Sequence, residues 1–386
     1  MKVIHAVATL DPAGGGPPQV AVRLAAAQAA LGHDVHLVFN ASAASQARVQ
    51  AQTGGVPHVE RIVLHPIAEP GRVERLWAPR ARRLLAELIQ GADFVHIHGL
   101  WGSLLGAAAA CARDNRVPYC FRPAGMLDPW SLAQKRWKKR LALGLRYREL
   151  LNAAAFIHTL NADEQRLIAP LGLTAPTIVL PNGVFIEELD PLPAPGTFRA
   201  AHPALGAAPF VLFLSRLHTK KGLDILADAF AELARRRPDV HLVVAGPDEG
   251  AQPDFARRVN ATRVAARVHL VGPLYGRDKL AALVDAACFC LPSRQEGFSV
   301  AITEALACGR PVVISEACHF PEVASAKAGA VVPLEPSAVA RALEEILGDP
   351  ALAARMGQAG AALVRQRYTW DAIAAATLSA YQGPRR

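Results

Sequence analysis

Apolar and polar residues along the chain follow two patterns in alternation. Short apolar runs, typical of buried strands, are separated by segments in which apolar residues recur at helical spacing. The clearest apolar runs are residues 2–9, 34–39, 94–98, 210–214, 240–245 and 286–291. Helical spacing is clearest over residues 20–31 and 223–235. Strand–helix alternation in both halves predicts an α/β fold in which each half forms a doubly wound parallel sheet.

The length of the chain predicts two domains. With 386 residues, it is too long for one ordinary hydrophobic core and long enough for two. Residues 187–198 (EELDPLPAPGTF) are acidic and rich in proline, which is typical of an interdomain linker. We therefore predict a first domain over residues 1–190 and a second domain over residues 191–367.

Composition favours a globular enzyme over a disordered, fibrous or membrane-spanning protein. Apolar residues make up 52% of the chain and charged residues 19%. No apolar run reaches the roughly 20 residues of a transmembrane helix. The first residues (MKVIHAVATL) lead into a glycine-rich turn, so we expect a buried strand there and no signal peptide. The six cysteines show no C-x-x-C spacing, which favours reduced thiols and a cytoplasmic location.

Positive charge is concentrated in one stretch of a chain whose net charge is +9. The cations there are Lys135, Arg136, Lys138, Lys139, Arg140, Arg146 and Arg148, with no acid among them. Tryptophans and leucines interleave with these cations. That content suits an interfacial helix on an anionic membrane surface better than nucleic-acid binding. A helix with an ordinary solvated basic face remains the alternative.

A glycine loop follows the first predicted strand. Gly14, Gly15 and Gly16 allow a ligand to approach the backbone closely, although a simple tight turn is the alternative. The loop is not G-x-G-x-x-G, and no acid follows at the distance that a dinucleotide ribose requires. The pattern therefore gives little support to a Rossmann-type dehydrogenase.

A second candidate ligand position lies where the apolar run 94–98 ends. His98 is the last residue of that run, and Trp101 follows shortly after it. Because ligands in open α/β sheets collect at the carboxyl ends of strands, we expect both residues near an acceptor site. His96, in contrast, is expected to face the core.

Two acids lie in a strand–loop–helix–strand unit over residues 286–314. Glu296 precedes the predicted helix 298–307, and Glu304 lies within it. At 1.5 Å rise per residue, the carboxylates are separated by about 10 Å along the helix axis, a spacing that suits two ends of an extended ligand. Amides at the start of the helix, near Gly297 and Phe298, would favour an anionic group.

The E-x7-E spacing (EGFSVAITE) and its neighbours LPSRQEGF and EALACGRPVV resemble the retaining, nucleotide-sugar-dependent glycosyltransferases of the GT-B fold, the group called family 4. The resemblance implies two Rossmann-like domains facing a cleft. The first would bind the acceptor and the second the donor. The last helix, within residues 368–386, would complete the first domain.

The resemblance also implies residue roles in the donor domain. Arg216 and Lys221 would bind the donor diphosphate, Glu296 the donor sugar and Glu304 the ribose hydroxyls. Gly297, Phe298 and Ser299 would complete the donor site. No D-x-D motif is present to hold a divalent metal, so we expect fixed cations to replace it and no cofactor beyond the nucleotide sugar.

The segment 118–130 (PYCFRPAGMLDPW) looks like the H-G-M-L-x-P-W segment of exopolysaccharide-type members. In those members the histidine contacts the transferred sugar, but this chain has Ala124 at that position. The role of the histidine is therefore either absent or taken by His98 or Arg122. The glycine loop, His98 and Arg122 form the expected acceptor and sugar site.

The implied activity is transfer of a hexosyl group, with retention of configuration, from a UDP- or GDP-linked sugar. The acceptor would be a saccharide or polyprenyl-linked saccharide in envelope or exopolysaccharide synthesis, reached at the inner face of the membrane. A double displacement needs a carboxylate nucleophile, and no first-domain acid stands out as one. The resemblance implies instead a front-face displacement, in which the leaving phosphate helps to deprotonate the acceptor hydroxyl. Because of Ala124, a GT-B protein that binds nucleotide sugars without turnover remains the alternative.

Overall fold

The computed structural model describes residues 1–11 and 16–383. The chain divides into two compact units, Met1–Gly183 with Trp370–Arg386, and Val184–Thr369. The acidic, proline-rich stretch 187–198 was predicted to be a linker, but it lies within the second unit. Its Leu189 and Phe198 are buried in the core of that unit, because apolar residues alternate there with the prolines and acids.

The first unit is a seven-stranded sheet in which every pair is parallel, in the order β3-β2-β1-β4-β5-β6-β7. Its strands are β1 (Lys2–Thr9), β2 (Asp34–Ala41), β3 (Val63–Ala68), β4 (Phe94–His98), β5 (Tyr119–Arg122), β6 (Phe156–Thr159) and β7 (Thr177–Val179). The central strands β4, β5 and β6 are buried along their whole length, as expected when helices cover both faces of a sheet.

Helices connect these strands. They are α1 (Gly16–Ala30), α2 (Ala43–Thr53), α3 (Arg72–Trp77), α4 (Pro79–Ile89), α5 (Ser103–Asp114), α6 (Pro129–Ala133), α7 (Arg136–Ala142), α8 (Arg148–Asn152) and α9 (Ala162–Ile168). One π-helical turn, Leu143–Tyr147, joins α7 to α8. The basic stretch was predicted to be a helix, but it is broken into these short pieces. Lys135, which has a left-handed backbone (φ 53°), separates α6 from α7.

The second unit is a six-stranded parallel sheet in the order β10-β9-β8-β11-β12-β13. Its strands are β8 (Phe210–Leu214), β9 (His241–Ala245), β10 (Val268–Gly272), β11 (Cys288–Leu291), β12 (Val312–Ser315) and β13 (Gly329–Val332). Its helices are α10 (Thr197–Ala201), α11 (Leu223–Arg236), α12 (Gln252–Ala261), α13 (Gly276–Asp285), α14 (Val300–Ala307), α15 (Glu322–Ser325), α16 (Pro336–Gly348) and α17 (Pro350–Arg367).

The chain then returns to the first unit through α18 (Trp370–Tyr381), which packs on α1. Tyr381 at its end stacks on Phe94, with ring centroids 4.0 Å apart. Two α/β units of parallel strands, as the sequence predicted, are therefore present. In each sheet the strand order changes direction beside the first strand, at β1/β4 and at β8/β11. Ligands in open α/β sheets bind at the carboxyl ends of strands at such switch points.

All six cysteines are buried and none forms a disulfide. Within residues 1–11 and 16–383, no helix combines the length and the apolarity needed to cross a bilayer.

Candidate functional site

The E-x7-E unit has the predicted order of strand, loop, helix and strand. Strand β11 ends at Leu291, and α14 begins at Val300, two residues later than the pattern predicted. The difference arises because Ser299 has an extended backbone and occupies the N-cap position. Its side chain makes no cap hydrogen bond, so the partial positive charge at the start of α14 is not offset by that hydroxyl.

The loop before α14 brings Glu296 to a lysine 75 residues away in sequence. Lys221 Nζ lies 2.6 Å from Glu296 Oε1, and the Ser293 hydroxyl donates to the same oxygen at 2.6 Å. The two charged side chains are only 13% and 8% exposed, so the pair is shielded from bulk water. Two of the predicted donor-site residues, Lys221 and Glu296, are therefore in direct contact.

Two glycines allow these strand ends to approach so closely. Gly222 follows Lys221 with a left-handed backbone, and a Cβ there would lie 1.9 Å from the carbonyl oxygen of Pro292. At Gly246, after β9, a Cβ would lie 1.8 Å from the carbonyl oxygen of Ser215. Any side chain at either position would push the loops apart, so glycine is required for the packing.

Arg216 lies at the end of β8 beside a carboxylate that the sequence analysis did not identify. Its Nη1 is 2.8 Å from both carboxylate oxygens of Glu249, which follows β9. The guanidinium is 56% exposed and the glutamate side chain 37%, so water competes with this pair. An exposed ion pair of this kind contributes little stability, and a phosphate can replace the carboxylate at low cost.

Glu304 on α14 also has a lysine partner that sequence reasoning missed. Lys279 Nζ, on α13, lies 2.6 Å from Glu304 Oε1. Each acid of the motif is thus held through Oε1 by a lysine. In the part of the chain that the structure describes, Oε2 of Glu296 and Oε2 of Glu304 accept no hydrogen bond from protein. Both acids therefore retain an acceptor oxygen for a ligand hydroxyl.

In the first unit, His98 is buried in a chain of hydrogen bonds rather than exposed at the sheet edge. His98 Nε2 lies 2.9 Å from His5 Nδ1, and His5 Nε2 lies 2.8 Å from Gln28 Oε1. Because an amide oxygen only accepts, His5 carries its hydrogen on Nε2 and accepts from His98 at Nδ1. His98 Nδ1 is then an acceptor, and it has no partner among residues 1–11 and 16–383.

His96, expected to face the core, belongs to the same buried cluster. Its Nδ1 lies 2.6 Å from the Tyr381 hydroxyl, which also accepts from Gln28 Nε2 at 3.1 Å. Burial lowers the pKa of His5 to about 4, and it holds the pKa of His96 and His98 well below the ordinary value. These imidazoles are therefore neutral at pH 7.

Nitrogen atoms of His5, His96 and His98 lie within 4.8 Å of one another, a grouping that invites comparison with a metal site. The Arg122 guanidinium, however, is close enough to help lower the pKa of His96 and of His98. A cation in the cluster would meet that buried positive charge without a carboxylate ligand to offset it. The cluster is therefore poorly suited to a metal ion.

Arg122 ends β5 and is 2% exposed. Its Nη2 donates to Asn182 Oδ1 at 2.5 Å, and burial lowers its pKa to about 10. Its Nη1 has no partner within the described residues. Arg122 and His98 face each other in the register of β4 and β5, so the structure brings these two predicted residues together.

The segment after β5 is held by Glu164 of α9. Its Oε1 accepts from the amide of Gly125 at 2.6 Å, and its Oε2 from the amide of Leu160 at 2.7 Å. Ala124, just before Gly125, has a left-handed backbone with φ 50°. Of the glycine loop, Gly14 and Gly15 lie outside the described residues, and Gly16 is the exposed first residue of α1.

The basic stretch is anchored on one side and exposed on the other. Tyr147 donates from its hydroxyl to the carbonyl of Gly102 and accepts from its amide, and Lys139 Nζ donates to the carbonyl of Ser131 at 2.7 Å. Four cations of this stretch are exposed and form no ion pair in the described ranges: Lys135, Arg136, Lys138 and Arg140. The exposed apolar residues here are Trp130, Trp137, Leu141 and Leu145.

Comparison with known proteins gives the family. A model described as "Glycosyl transferases group 1" matches residues 196–363, and one described as "Glycosyl transferase 4-like domain" matches residues 15–183. These two segments together span most of the chain.

Curated relatives match over part of their length. A GDP-mannose-dependent monoacylated alpha-(1-6)-phosphatidylinositol monomannoside mannosyltransferase of Corynebacterium glutamicum is 32% identical over 203 residues, which are 50% of this chain and 52% of that protein. A phosphatidyl-myo-inositol mannosyltransferase of Mycobacterium tuberculosis is 31% identical over 218 residues, 54% of this chain and 55% of that protein. The chain spans about half the length of the curated relatives it matches.

Solved structures match over the whole chain and support the fold. HepE of Anabaena in complex with UDP superposes with a TM-score of 0.78 at 20% identity. The match covers 98% of this chain and 100% of the HepE chain. Sucrose-phosphate synthase of Thermosynechococcus elongatus has a TM-score of 0.72 at 21% identity, with 99% and 98% covered. With two parallel-sheet units, the E-x7-E helix and both family matches, the chain belongs to the group 1, or family 4, glycosyltransferases of the GT-B fold.

Proposed function

We propose that the protein is a retaining glycosyltransferase that moves a hexosyl group from a nucleotide sugar to a saccharide or lipid-linked saccharide. The observation that carries this proposal is the shielded Lys221–Glu296 pair at the β8/β11 switch point, beside the start of α14. Cation, carboxylate and helix start are the groups that a sugar diphosphate needs. A relative described as a GDP-mannose-dependent mannosyltransferase, and the UDP complex of HepE, support a nucleotide-sugar donor.

Departure of a nucleoside diphosphate leaves negative charge that must be stabilised in the transition state. In our proposal Lys221 and Arg216 supply fixed positive charge, and Arg216 exchanges Glu249 for a phosphate oxygen. Glu296 and Glu304 use their Oε2 atoms for hydroxyls of the donor sugar and the ribose. Gly297, Phe298 and Ser299, between the two acids, complete the contacts with the donor.

We propose a front-face displacement. The bond from the anomeric carbon to the phosphate oxygen breaks, the acceptor hydroxyl oxygen bonds to the same face, and its proton passes to the leaving phosphate. A double displacement would need a carboxylate nucleophile. Both oxygens of Glu164 are occupied by backbone amides, and Asp128 caps α6 through the amide of Ser131. Neither acid of these loops is thus placed as a nucleophile.

For the acceptor we propose a saccharide on a lipid carrier, reached through peripheral contact of the 130–148 segment with an anionic membrane. Exposed tryptophans and leucines lie there beside cations without acidic partners in the described part of the chain. Trp130 is 49% exposed and Trp137 68%, values that are unusual for side chains of this size in a packed domain.

Incubation with a panel of UDP-, GDP- and ADP-linked hexoses, with and without EDTA, tests the proposal. We expect release of one nucleoside diphosphate with its sugar transferred or hydrolysed, and no loss of rate on chelation. Binding of a nucleotide sugar without any turnover would instead support the binding-protein alternative. The family matches leave the dehydrogenase alternative without support.

A further inference from the structure

A groove of about 550 Å³ lies on the first unit, between the broken basic stretch and the residues that follow α9. Its lining includes three leucines, which we call the apolar floor: Leu132 of α6, Leu143 of the π-helical turn, and Leu171, which follows α9. Leu143 is buried, which gives the groove a packed apolar base rather than a mobile surface. All residues that line the groove belong to the first unit, whereas the predicted donor-site residues belong to the second.

Three guanidinium groups line this groove, and no acid does. Arg136 and Arg140 are one turn apart on α7, so their side chains lie on the same side of the helix. Both are exposed and lack acidic partners in the described ranges. Arg148 donates from Nη1 to the carbonyl oxygen of Leu171 at 3.0 Å, which leaves its other nitrogen atoms for a ligand.

Arginines gathered on one side without a counter-charge repel one another, and an anion with several oxygens relieves that repulsion. Planar guanidinium groups match phosphate oxygens in paired hydrogen bonds. A free phosphate would contact the guanidinium groups but leave the apolar floor uncovered. The lining therefore fits an amphiphile, with a phosphate directly attached to an aliphatic chain.

We propose that this groove binds the phosphate-bearing end of the lipid carrier on which the acceptor saccharide is presented. The phosphates lie between Arg136 and Arg140, and the first carbons of the chain lie on Leu132, Leu143 and Leu171. Pro129, which directly follows the segment after β5, is among the lining residues, and we place the saccharide end of the ligand on that side of the groove. This inference rests on the proposed function only for the lipid-linked class of acceptor.

Calorimetric titration of the full chain with farnesyl diphosphate, a soluble prenyl diphosphate, tests the proposal. Farnesol and inorganic diphosphate are the comparison ligands, because each carries one half of the chemistry. We expect farnesyl diphosphate to bind at one site at least about tenfold more tightly than either, since the apolar and charged contacts add. Equal affinity for inorganic diphosphate would overturn the role of the apolar floor.

Two double variants test whether farnesyl diphosphate binds in this groove. The double variant Arg136→Gln, Arg140→Gln should weaken binding by about tenfold or more. Its matched control, Lys135→Gln with Lys138→Gln, removes the same charge from exposed positions that do not line the groove, and should change affinity by less than about twofold. If both double variants weaken farnesyl diphosphate binding equally, the affinity comes from the general positive charge of the stretch, which would contradict binding in the groove.

A third variant blocks the groove without changing charge. Gly144 lines it, is not among the glycines with positive φ, and has no atom within 4 Å of a Cβ placed there. Gly144→Leu should therefore fold and weaken farnesyl diphosphate binding by about tenfold. Unchanged binding would overturn the proposal.

The double variant Arg216→Gln, Lys221→Gln is the control for binding at the donor site. It should leave farnesyl diphosphate binding intact. Loss in this variant would place the ligand at the donor site instead. None of these titrations needs turnover, so a protein that transfers no sugar but binds farnesyl diphosphate in the groove would contradict the proposed function alone.

Discussion

Glu296 and Glu304 each contact a lysine from another part of the second unit, Lys221 before α11 and Lys279 in α13. Lys221 binds Oε1 of Glu296 and Lys279 binds Oε1 of Glu304, and each lysine thereby orients the Oε2 atom of its partner. The motif could be identified from sequence because both acids lie within one short stretch of the chain, the loop before α14 and α14 itself. Its partners could not, since Lys279 is 25 residues from Glu304 and Glu249 is 33 residues from Arg216, with no local pattern joining them.

Replacing Lys279 tests whether it positions Glu304. Lys279→Met removes the charged hydrogen bond and frees the carboxylate to rotate, so the KM for the nucleotide sugar should rise by about tenfold. The kcat should change little, because the proposed contact of Glu304 is with the ribose and not with the reacting atoms. Steady-state kinetics with varied donor measure both values.

The control for that variant is Lys327→Met, an exposed lysine of the same unit. It should leave the KM within about twofold, as expected of a surface substitution. A tenfold fall in kcat with unchanged KM in Lys279→Met would contradict a positioning role and place Lys279 at the reacting phosphate.

Arg216 and Lys221 carry the proposed stabilisation of the leaving diphosphate. Arg216→Ala or Lys221→Ala should each cost about 2–4 kcal/mol of transition-state stabilisation, seen as a fall in kcat/KM. Arg235→Ala, which removes an exposed arginine near the end of α11, is the matched control and should leave kcat/KM unchanged. Restoration of the variants by added magnesium or manganese would argue for a metal-dependent site.

Among the secondary-structure elements, apolar runs in the sequence predicted the buried central strands well and the exposed edge strands poorly. The central strands β8, β11 and β12 are wholly buried, so their apolar runs are continuous. Edge strand β3 is mostly exposed, so its sequence has no continuous apolar run. It also contains Pro66, which has no backbone amide to donate to the sheet. The break in the basic stretch also has no periodic signal, because it lies at Lys135, whose left-handed backbone the local sequence does not indicate.

The burial of His98 likewise follows from packing across strands rather than from local sequence. Its position at the end of β4 predicted a ligand contact, but His5 of β1 and His96 pack against it, with ring centroids 5.2 Å and 4.4 Å away. Because side chains alternate along a strand, two histidines two residues apart lie on the same face of the sheet, so His96 and His98 can stack on each other. The structure places both in one cluster through Gln28 and Tyr381, which come from the helices.

These buried histidines make stability depend on pH. Burial lowers the pKa of His5 to about 4 and that of His158 to about 3, and Arg122, His96 and His98 surround them. In the unfolded chain a histidine titrates near pH 6.5, so below that pH the unfolded state binds more protons. The free energy of unfolding should therefore fall as pH drops from 6.5 towards 4, by up to about 1.4 kcal/mol per unit for each histidine.

Urea midpoints between pH 7 and pH 4.5 measure this dependence. His5→Asn should lessen the slope, because it removes one buried group that must be neutral in the folded state. His218→Gln, outside the cluster, should leave the slope unchanged. A midpoint that stays constant over this range would contradict neutral, buried imidazoles.

At the scale of the whole molecule, the uneven charge predicts reversible membrane contact through the first unit. Wild-type protein should sediment with anionic liposomes at low salt and be released at high salt, since each Lys or Arg near such a surface contributes about 1 kcal/mol. Lys139 is omitted from the contact because it is turned towards Ser131. The variant to test neutralises Lys135, Arg136, Lys138 and Arg140, and it should stay in the supernatant.

A matched control neutralises as many exposed cations of the second unit: Arg235, Arg263, Lys327 and Arg355. It should still sediment, because the control cations lack the neighbouring tryptophans and leucines. If the wild type itself stays in the supernatant at low salt, the segment is only a solvated surface and the acceptor is a soluble saccharide.

We propose that this chain transfers a sugar with retention of configuration, using fixed cations in place of a metal. The measurement that tests it most directly is proton NMR of the product formed from its nucleotide sugar and a saccharide acceptor in excess EDTA. We expect a glycoside whose anomeric configuration matches that of the donor. It should form in excess EDTA at the same rate as without chelator. An inverted product, or product formation that stops with EDTA and resumes on adding a divalent metal, would contradict it.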